Sequence, residues 1–367
     1  MESVSKSRPM TPAQLDQFAA ELDAVREEVM SSLGERDARY IRRVFAAVRY
    51  TEAAGRILIY CWFLPPLWAL GVLLLGLSKI LDNMELGHNV IHGQYDWMND
   101  PYLKGANWEW DIVGTADNWR LTHNYKHHTY TNIKGMDDDI GYGLLRLFPE
   151  QRWRPFYLFQ PVVALLFALL FEWGVAIQEL RLGRLSRGAA ARAEIREKFQ
   201  PVKRKMRRQI IKDYLIFPLL GGPLFLPVLV GNMLANIIRS LWTYMIIFCG
   251  HFTADVDVFP KSVLKSESRG QWYARQVRGS GNLRGSKLFH ILSGNLSHQI
   301  EHHLFPDMPA NRYAEVAPRV QEICEKYGIH YNSGRLSRQF GQVLWRILRY
   351  SLPSRPGRLD QVRLTAE

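Results

Sequence analysis

The apolar residues near the start of the chain recur at the spacing of a helix. These positions are Leu15, Phe18, Leu22, Val25 and Val29. Thr11 fits the N-cap of this helix, Gln14 fits the third position, and Gly34 fits the end. No apolar core follows the charges of the first ten residues, so we expect no cleavable signal there. The pattern therefore predicts that residues 1–40 form an amphipathic cytosolic helix on the protein or membrane surface.

Apolar residues then gather into a first long run that ends in polar residues. The run is interrupted by Arg49, Glu52 and Arg56 and then by Pro65-Pro66. One crossing needs about 20 apolar residues, so we expect a hairpin with spans at about 44–63 and 66–86. A single longer span from Ile57 to Leu81 is the alternative.

A second apolar run, Tyr214 to Cys249, is about twice the length that one crossing needs. It predicts a second hairpin, with spans at 213–231 and 233–250 and a turn near Gly231-Asn232. The shorter run Val162 to Phe171 is better explained as an interfacial or re-entrant segment within 155–177.

Charge gives the orientation of these segments. Residues 178–213 hold twelve Lys and Arg against four acids, which is typical of a cytoplasmic loop. With 155–177 only dipping into the membrane, the four spans place this loop and all the histidine groups on the cytoplasmic side. We expect residues 41–335 to form the membrane domain and 336–367 a basic C-terminal tail.

Composition narrows the class of partner. The chain has 367 residues and a net charge of +12, which suits a membrane surface or an anionic substrate. Nucleic acid is not expected, because the basic residues flank long apolar runs. The cysteines are Cys61, Cys249 and Cys324, and they form no CxxC motif and predict neither a disulfide framework nor a zinc ribbon.

Eight of the eleven histidines fall into three groups. The groups are His88 and His92, then His123, His127 and His128, then His298, His302 and His303. Histidines four apart share a helix face, and neutral imidazole is the commonest metal ligand. Three such groups in order predict a metal centre with two ions. Imidazole suits iron, copper, nickel and zinc alike, so spacing alone does not select the metal.

These motifs resemble those of the membrane-bound fatty acid desaturases over roughly residues 40–330. The resemblance rests on HxxxH at His88, HxxxHH at His123 and QIEHHLFP from Gln299. Segments such as Gly87-His88-Asn89, Trp97-Met98-Asn99-Asp100-Pro101, Gly135-Met136-Asp137-Asp138-Asp139 and Cys249-Gly250-His251-Phe252 look like the acyl-CoA desaturases of mycobacteria and related bacteria.

The resemblance implies an all-α integral membrane protein shaped like a mushroom. Four membrane helices would form the stem, and a helical cytosolic cap would hold two iron ions. The implied enzyme is an oxidoreductase that uses O2 to insert a cis double bond at position 9 of stearoyl-CoA, a long-chain acyl-CoA. Electrons would come from NADPH through a separate ferredoxin-type or flavin reductase. The implied location is the bacterial inner membrane, in contact with lipid and with the site on the cytoplasmic side.

By the same resemblance, eight histidines are expected as ligands. They are His88, His92, His123, His127, His128, His251, His302 and His303. The slot at the start of the third box holds Gln299, with His298 just before it. Imidazole is the better iron ligand, so His298 is preferred as the ninth ligand and Gln299 is the alternative. Gln299 in this slot also occurs in front-end desaturases.

Other candidates surround the second histidine group. Asp138 and Asp139, with Asp137, form either a solvated turn or a set of carboxylates that orient imidazole N–H groups. Asn118, Trp119 and Arg120 are candidate substrate contacts, and the basic residues 203–208 fit either CoA phosphates or anionic lipid. His290 is expected to be a structural residue and His330 a surface residue.

Four alternatives remain at this point. A front-end desaturase and a fatty acyl hydroxylase would share the histidine boxes. A non-catalytic metal-binding membrane protein or a zinc hydrolase belongs to another class, and the chain lacks the HExxH motif that many zinc hydrolases use.

Overall fold

The computed structural model describes residues 7–180, 188–354, 357 and 364, and those residues form a mainly helical protein. The helices are α1 (Pro12–Ser31), α2 (Glu35–Leu58), α3 (Pro65–Ile80), α4 (Asn89–Ile91), α5 (Ala116–Trp119), α6 (His128–Tyr130), α7 (Gln160–Leu169), α8 (Phe171–Glu179), α9 (Ala189–Ile211), α10 (Phe217–Leu220), α11 (Phe225–His251), α12 (Arg269–Arg278), α13 (Lys287–Leu292), α14 (Gln299–Leu304), α15 (Tyr313–Lys326) and α16 (Leu336–Ser351). The strands β1 (Asn282–Arg284) and β2 (Ser333–Arg335) pair in parallel. Residues 181–187 of the predicted cytoplasmic loop and most of 355–367 lie outside the described residues.

Helix α1 begins where the sequence predicts. The Thr11 side chain and the Gln14 side chain cap each other's backbone N–H groups, and the helix ends at Ser31, three residues before Gly34. Its apolar face is buried in one core with residues of α12, α14 and α15. An amphipathic helix is therefore present over Pro12–Ser31, and its apolar face packs on the protein.

A buried ion pair fixes the start of α2 to the start of α15. Both Asp37 carboxylate oxygens accept from Arg312, at 2.7 and 2.9 Å, and the Asn311 amide also donates to Asp37. Burial by itself would raise the pKa of Asp37, but these donors and the Gly34 N–H together lower it below its ordinary value. The charged form of Asp37 thus helps to hold the start of α2 against the start of α15.

Helices α2 and α3 pack against each other, and α3 starts at Pro65; of the two, only the helix that begins with α3 is long and apolar enough to cross a membrane. The two helices touch backbone to backbone: a Cβ on Gly71 would lie 2.7 Å from Ile59 N, and one on Gly55 would lie 2.7 Å from Leu75 N. Beyond Ile80, the helix continues through a π turn and α4, giving one apolar helix over Pro65–Ile91. His88 lies near the end of this helix.

The predicted turn near Gly231-Asn232 is wrong, because α11 runs without a break through both residues. The chain turns earlier, at Gly222, which has a φ of +52°. Gly231 is small because Ile59 packs there: an added Cβ would lie 2.4 Å from the Ile59 Cδ1. Asn232 accepts from Arg56 and donates to the Asp213 backbone oxygen. These turn-type residues therefore serve packing between helices.

Two described helices are long and apolar enough to cross a membrane, Pro65–Ile91 and Gly222–His251. The pair Pro155–Leu169 and Phe171–Gln178 is bent by 104° and passes the same test only when joined. Leucine and valine side chains on the outer face of α7, among them Leu165 and Val162, are more than half exposed. An exposed apolar surface of this kind is typical of contact with lipid.

The first part of the predicted basic tail is an amphipathic helix, α16. Val343 and Ile347 are buried against the core that α7, α8 and α11 form, while Trp345 and Leu348 on the opposite side are exposed. Basic residues separate these apolar positions in sequence, so the charge hid the 3.6-residue period. We correct the description of residues 336–351 accordingly: they are an ordered helix with an exposed apolar stripe.

Candidate metal centre

Two π turns carry histidines of the first and second boxes. One covers Leu81–His88, between α3 and α4, and the other covers Arg120–His127, between α5 and α6. A π turn inserts a residue into a helix and so rotates the residues on either side relative to each other, and such turns are frequent at functional sites. In the second turn the rings of His123 and His127 stack with centroids 5.0 Å apart.

The first group of histidines consists of His88, His92, His123 and His302, with one ligand atom of each within 4.8 Å of the others. The Nε2 atoms of His88 and His123 face each other at 3.3 Å. On the other side of the His88 ring, Nδ1 lies 3.1 Å from the Asn89 side-chain oxygen. This oxygen can only accept, so Nδ1 carries the proton and Nε2 presents a lone pair.

The second group consists of His127, His251 and His303. The His251 Nε2 lies 3.3 Å from the His127 Nε2 and 3.2 Å from the His303 Nε2. Each Nδ1 faces an oxygen acceptor: the Asp137 carboxylate for His127, the Gly279 backbone oxygen for His251 and the Gln276 side-chain oxygen for His303. The acceptors direct the Nδ1 protons outward, so three Nε2 lone pairs converge on one point.

His128 lies between the two groups. Its ring centroid is 4.8 Å from that of His92, 4.7 Å from that of His302 and 4.4 Å from that of His303. Both of its ring nitrogens are buried without a hydrogen-bond partner among the described residues. The eight histidines expected as ligands therefore meet in one place.

The donor set fits a metal. Besides His128, the Nε2 atoms of His92 and His302 are buried without a hydrogen-bond partner among the described residues. Burying such atoms unpaired costs about 1–3 kcal/mol each, and lone pairs that face each other cannot bond to each other. A cation among the rings would accept the lone pairs of the His92 and His302 Nε2 atoms and of one His128 nitrogen, and all-imidazole sites are typical of transition metals.

Asp137 is the carboxylate that orients a histidine of the site. It is 5% exposed, lies 3.0 Å from the His127 Nδ1 and also accepts from the backbone N–H groups of Asn132 and Asp139. Burial disfavours the charged imidazole, but the Asp137 carboxylate outweighs it and raises the pKa of His127 to about 8. Metal and proton therefore compete for the His127 Nε2.

The other two acids differ in their relation to the site. One oxygen of Asp139 lies 3.6 Å from the His123 Nδ1 and 3.7 Å from the His127 Nδ1, so Asp139 borders both groups. Burial, partly offset by His127, raises the pKa of Asp139 to about 7. The Asp138 backbone oxygen accepts from Gln178 on α8, and Asp138 is not one of the potential metal ligands that cluster here.

The structure reverses the preference between the two third-box candidates. The Gln299 amide nitrogen lies 2.9 Å from the His251 Nε2, and the Gln299 Oε1 is buried without a partner. His298 points away, stacks on His290 with centroids 4.5 Å apart and belongs to neither histidine group. The backbone explains this difference: His298 ends a 3-10 turn with φ −102° and ψ 56°, whereas Gln299 begins α14. Side-chain chemistry favoured His298, but backbone direction favours Gln299.

The predicted substrate contacts have varied surroundings. Trp119 stacks on His123, with centroids 4.3 Å apart, and packs edge-on against Trp110. Arg120 donates to the backbone oxygens of Gly105 and Trp108, at 2.6 and 2.9 Å, so it fixes a loop instead of offering its guanidinium to a phosphate. Asn118 has a buried side-chain nitrogen without a hydrogen-bond partner among the described residues.

The basic residues 203–208 are partly engaged as well. Lys205 bonds to the Trp110 backbone oxygen at 2.8 Å and pairs with Glu109, and Lys212 pairs with Asp111. These contacts tie the end of α9 to the loop before α5. Neither lysine is therefore available to a ligand without giving up a protein partner.

A small cavity of about 40 Å³ adjoins the first histidine group. Its lining is mainly apolar and includes His88, Trp119, Phe171, Ile247 and Leu296. The lining also contains an ion pair, Glu172 on α8 with Arg239 on α11, and both residues are buried. No pattern in the sequence predicts this pair, because Glu172 and Arg239 lie far apart in the chain.

Several residues that hold the histidines were also missed. Gln276 on α12, Tyr313 on α15 and the Gly279 backbone oxygen each face an imidazole Nδ1. They lie outside the motifs and carry no spacing rule that would reveal them. Only the second-box acids, which follow His128 closely, could be found from the sequence.

Comparison with known proteins agrees with this site. The family model described as fatty acid desaturase matches residues 64–335. The chain is 46% identical over 351 residues to the "NADPH-dependent stearoyl-CoA 9-desaturase" of Mycobacterium tuberculosis, covering 94% of this chain and 82% of that protein. It is 27% identical over 295 residues to the "sn-1 linoleoyl-lipid 6-desaturase" of Synechocystis, covering 77% of this chain and 80% of that protein. The chain belongs to the fatty acid desaturase family.

Proposed function

We propose that this protein is an acyl-CoA desaturase that inserts a cis double bond at position 9 of stearoyl-CoA. The acyl chain loses two hydrogens, O2 is reduced to two waters, and the other two electrons and two protons come from outside. The electrons would come from NADPH through a separate reductase of the ferredoxin or flavin type. The observation that carries the proposal is the convergence of two histidine groups beside an apolar cavity.

The proposed metals are two iron ions, one for each histidine group. His88, His92, His123 and His302 would hold the first, and His127, His251 and His303 the second. The Gln299 oxygen would complete the second site and His128 would lie between both. Bound iron supplies the activation of O2, which amino acid side chains cannot provide. The chain's own contribution is to fix each imidazole through its Nδ1, as Asp137 does for His127.

The proposed membrane topology keeps four crossings. The helix Pro65–Ile91 and the helix Gly222–His251 would each cross once. We propose that α2 and the helical stretch that runs from the last turns of α9 through residues 212–220 complete the two hairpins, and that the bent pair α7–α8 enters and leaves on one side. The histidines then lie on the cytoplasmic side of the bacterial inner membrane, with the basic α9. The charges of α2 and of this segment support the topology, because Arg56 and Lys79 both pair with the buried Asp213 inside the stem.

The carbon atoms that react would lie at the apolar cavity beside His88, whose volume of about 40 Å³ has room for only a short part of the acyl chain. The cavity walls exclude water from the carbon atoms that react, which suits a step that removes hydrogens from an unactivated chain. Thr243 and Ser240 on α11 line the cavity together with the pair Glu172–Arg239. We propose that this pair borders the part of the chain beyond the new double bond.

The experiment that tests the function is product analysis by mass spectrometry. Membranes that contain the protein receive stearoyl-CoA, NADPH, O2 and a ferredoxin-type reductase, and the His127→Ala variant is the control. Oleoyl product that disappears in the control supports the proposal. A hydroxylated product would indicate a hydroxylase. Conversion of only those chains that already contain a double bond would indicate a front-end desaturase, an alternative that Gln299 and the similarity to the Synechocystis protein support.

Metal analysis distinguishes the desaturase from the remaining alternatives, a zinc hydrolase and a non-catalytic metal-binding protein. Iron near two ions per chain, lost in the His127→Ala variant together with the product, is expected for the desaturase. Zinc in a single site, with no dependence on O2, would instead indicate a zinc hydrolase or a non-catalytic metal-binding membrane protein.

A further inference from the structure

A second cavity, of about 730 Å³, opens on the cap away from the apolar cavity. Residues of β1, β2, α13, α15 and α16 form its walls. We call it the cap groove. Its volume lies in the range of cavities that hold a ligand of the size of a nucleotide, and no step of the proposed reaction uses it.

The rim of the cap groove is basic. Arg284 and Arg338 line it, and Arg335 pairs with Arg284 in the β1–β2 register, so both side chains lie on one face of the sheet. Lys287 follows on α13, and all four cations are exposed. Among the described residues no carboxylate lies within salt-bridge distance of any of them. Asp255 is the one carboxylate in the lining, and it lies 3.9 Å from His330.

The floor of the groove holds an unpartnered polar group. His298 lines the groove and is 9% exposed, and its Nε2 is buried without a hydrogen-bond partner among the described residues. Tyr331, on the wall, is held in place because its hydroxyl donates to Glu301 at 2.7 Å. A fixed aromatic ring near cations offers a stacking surface for a base beside sites for phosphates.

Residues of one 3-10 turn line both the cap groove and the apolar cavity. Leu296, at the start of this turn, lines the apolar cavity, and His298, at its end, lines the groove. A ligand with an anionic head and an apolar tail could therefore place its head in the groove and its tail beside His88. An acyl-CoA thioester is such a molecule.

We infer that the cap groove binds the phosphorylated adenosine end of the acyl-CoA substrate. This inference rests on the proposed function, since another substrate would not carry that group. The arginines would neutralise the diphosphate and the 3′-phosphate, Tyr331 would stack on the adenine, and His298 would donate or accept one hydrogen bond. NADPH carries a similar head, with its extra phosphate on the 2′ oxygen, so the test must tell the two apart.

The test is a direct binding measurement by calorimetry on the full-length, metal-loaded protein in detergent. The probes are adenosine 3′,5′-bisphosphate and CoA, with adenosine 2′,5′-bisphosphate for comparison. The Arg338→Gln variant loses one phosphate contact, and we expect its affinity for the 3′,5′ compound to fall about tenfold. Arg43→Gln is the matched control, because it removes the same charge from an exposed position on α2. We expect its affinity to remain unchanged.

Three results would overturn the inference. The first is equal affinity in the Arg338→Gln and Arg43→Gln variants. The second is tighter binding of the 2′,5′ compound, which would assign the groove to a dinucleotide. The third is no binding of any nucleotide, with electron transfer from an acidic carrier protein weakened by Arg338→Gln, which would make the groove a protein-docking surface.

Product analysis on the same samples keeps the two hypotheses separate. Binding that depends on Arg338 in a chain that forms no unsaturated product would sustain the groove and defeat the proposed function. Desaturation of stearoyl-CoA without nucleotide binding at the groove would support the proposed function and refute the inference about the groove.

Discussion

Replacing Asp137 by asparagine tests how a single carboxylate supports the candidate metal centre. One oxygen of Asp137 accepts from Asn132 N at 2.8 Å and from His127 Nδ1 at 3.0 Å. The other accepts from Asp139 N at 3.0 Å and from His127 Nδ1 at 3.1 Å. Both oxygens are thus used twice, and all of the donors are N–H groups.

An asparagine cannot reproduce this arrangement in either orientation. Its NH2 group must face one of the two backbone N–H groups, of Asn132 or Asp139, and the loss of that acceptor in a buried site costs about 1–3 kcal/mol of folding free energy. His127 also loses the negative charge that holds its Nδ1 proton. Loss of such a partner typically weakens metal binding about 10–100-fold, or by about 1.4–2.7 kcal/mol.

The assay for Asp137→Asn has two parts. Competition with a chelator gives the iron affinity, and thermal unfolding of the metal-loaded protein gives the stability. Asp117→Asn is the control, since the Asp117 side chain is 94% exposed and its surface pair contributes at most about 1 kcal/mol. Iron affinity that is equal in the two variants would refute the role of Asp137.

Further variants test the packing and the third box. Gly71→Ala is expected to lower the free energy of unfolding by about 1–3 kcal/mol, because its Cβ would meet the backbone of α2; thermal unfolding measures this. Gln299→Ala should lower the iron content toward one ion per chain, whereas His298→Ala should keep both ions; elemental analysis distinguishes them. Asp37→Asn should cost about 3–5 kcal/mol near neutral pH. Since the pKa of Asp37 is lowered on folding, the wild-type advantage should be present in full above the ordinary aspartate pKa, decline below it and be lost as pH falls through the lowered pKa of the folded protein.

For each of these variants, one outcome would contradict the prediction. Gly341→Ala, where an added Cβ has no neighbour within 4 Å, should be neutral or stabilise α16, and an equal loss in both glycine variants would argue against the clash. Iron lost from the His298 variant alone would restore His298 as the ligand. A stability difference between wild type and Asp37→Asn that does not change with pH would show that the carboxylate charge is not the cause.

The sequence predicts those parts of the fold and site that depend on local patterns. The capping box at Thr11 and the histidine spacings are short-range features, and the structure confirms the first and brings the histidines of the second together. The prediction of a turn at Gly231 was wrong because glycine occurs both in turns and at close contacts between helices. At Gly231 the contact with Ile59 requires the glycine. Which use applies is decided by a neighbouring helix that is far away in the chain.

The third box shows the same limit at the level of one residue. Ligand chemistry ranks His298 above Gln299, but only backbone dihedral angles tell which side chain faces His251. The Nδ1 partners Gln276 and Tyr313 come from α12 and α15, and the contacts arise only on folding. Spacing rules within one helix carry no information about such partners.

Because the lone pairs of the clustered histidines face each other, the stability of the folded protein should depend on the supply of metal. Since His128, His92 and His302 have buried nitrogens without hydrogen-bond partners among the described residues, the proposed iron ions would bind the folded chain far better than the unfolded one. A free iron concentration one hundred times the dissociation constant would add about 2.7 kcal/mol per site to the free energy of unfolding. A cell short of iron would then lose this protein by degradation as well as by inactivity, so the amount of enzyme would itself follow the iron available to it.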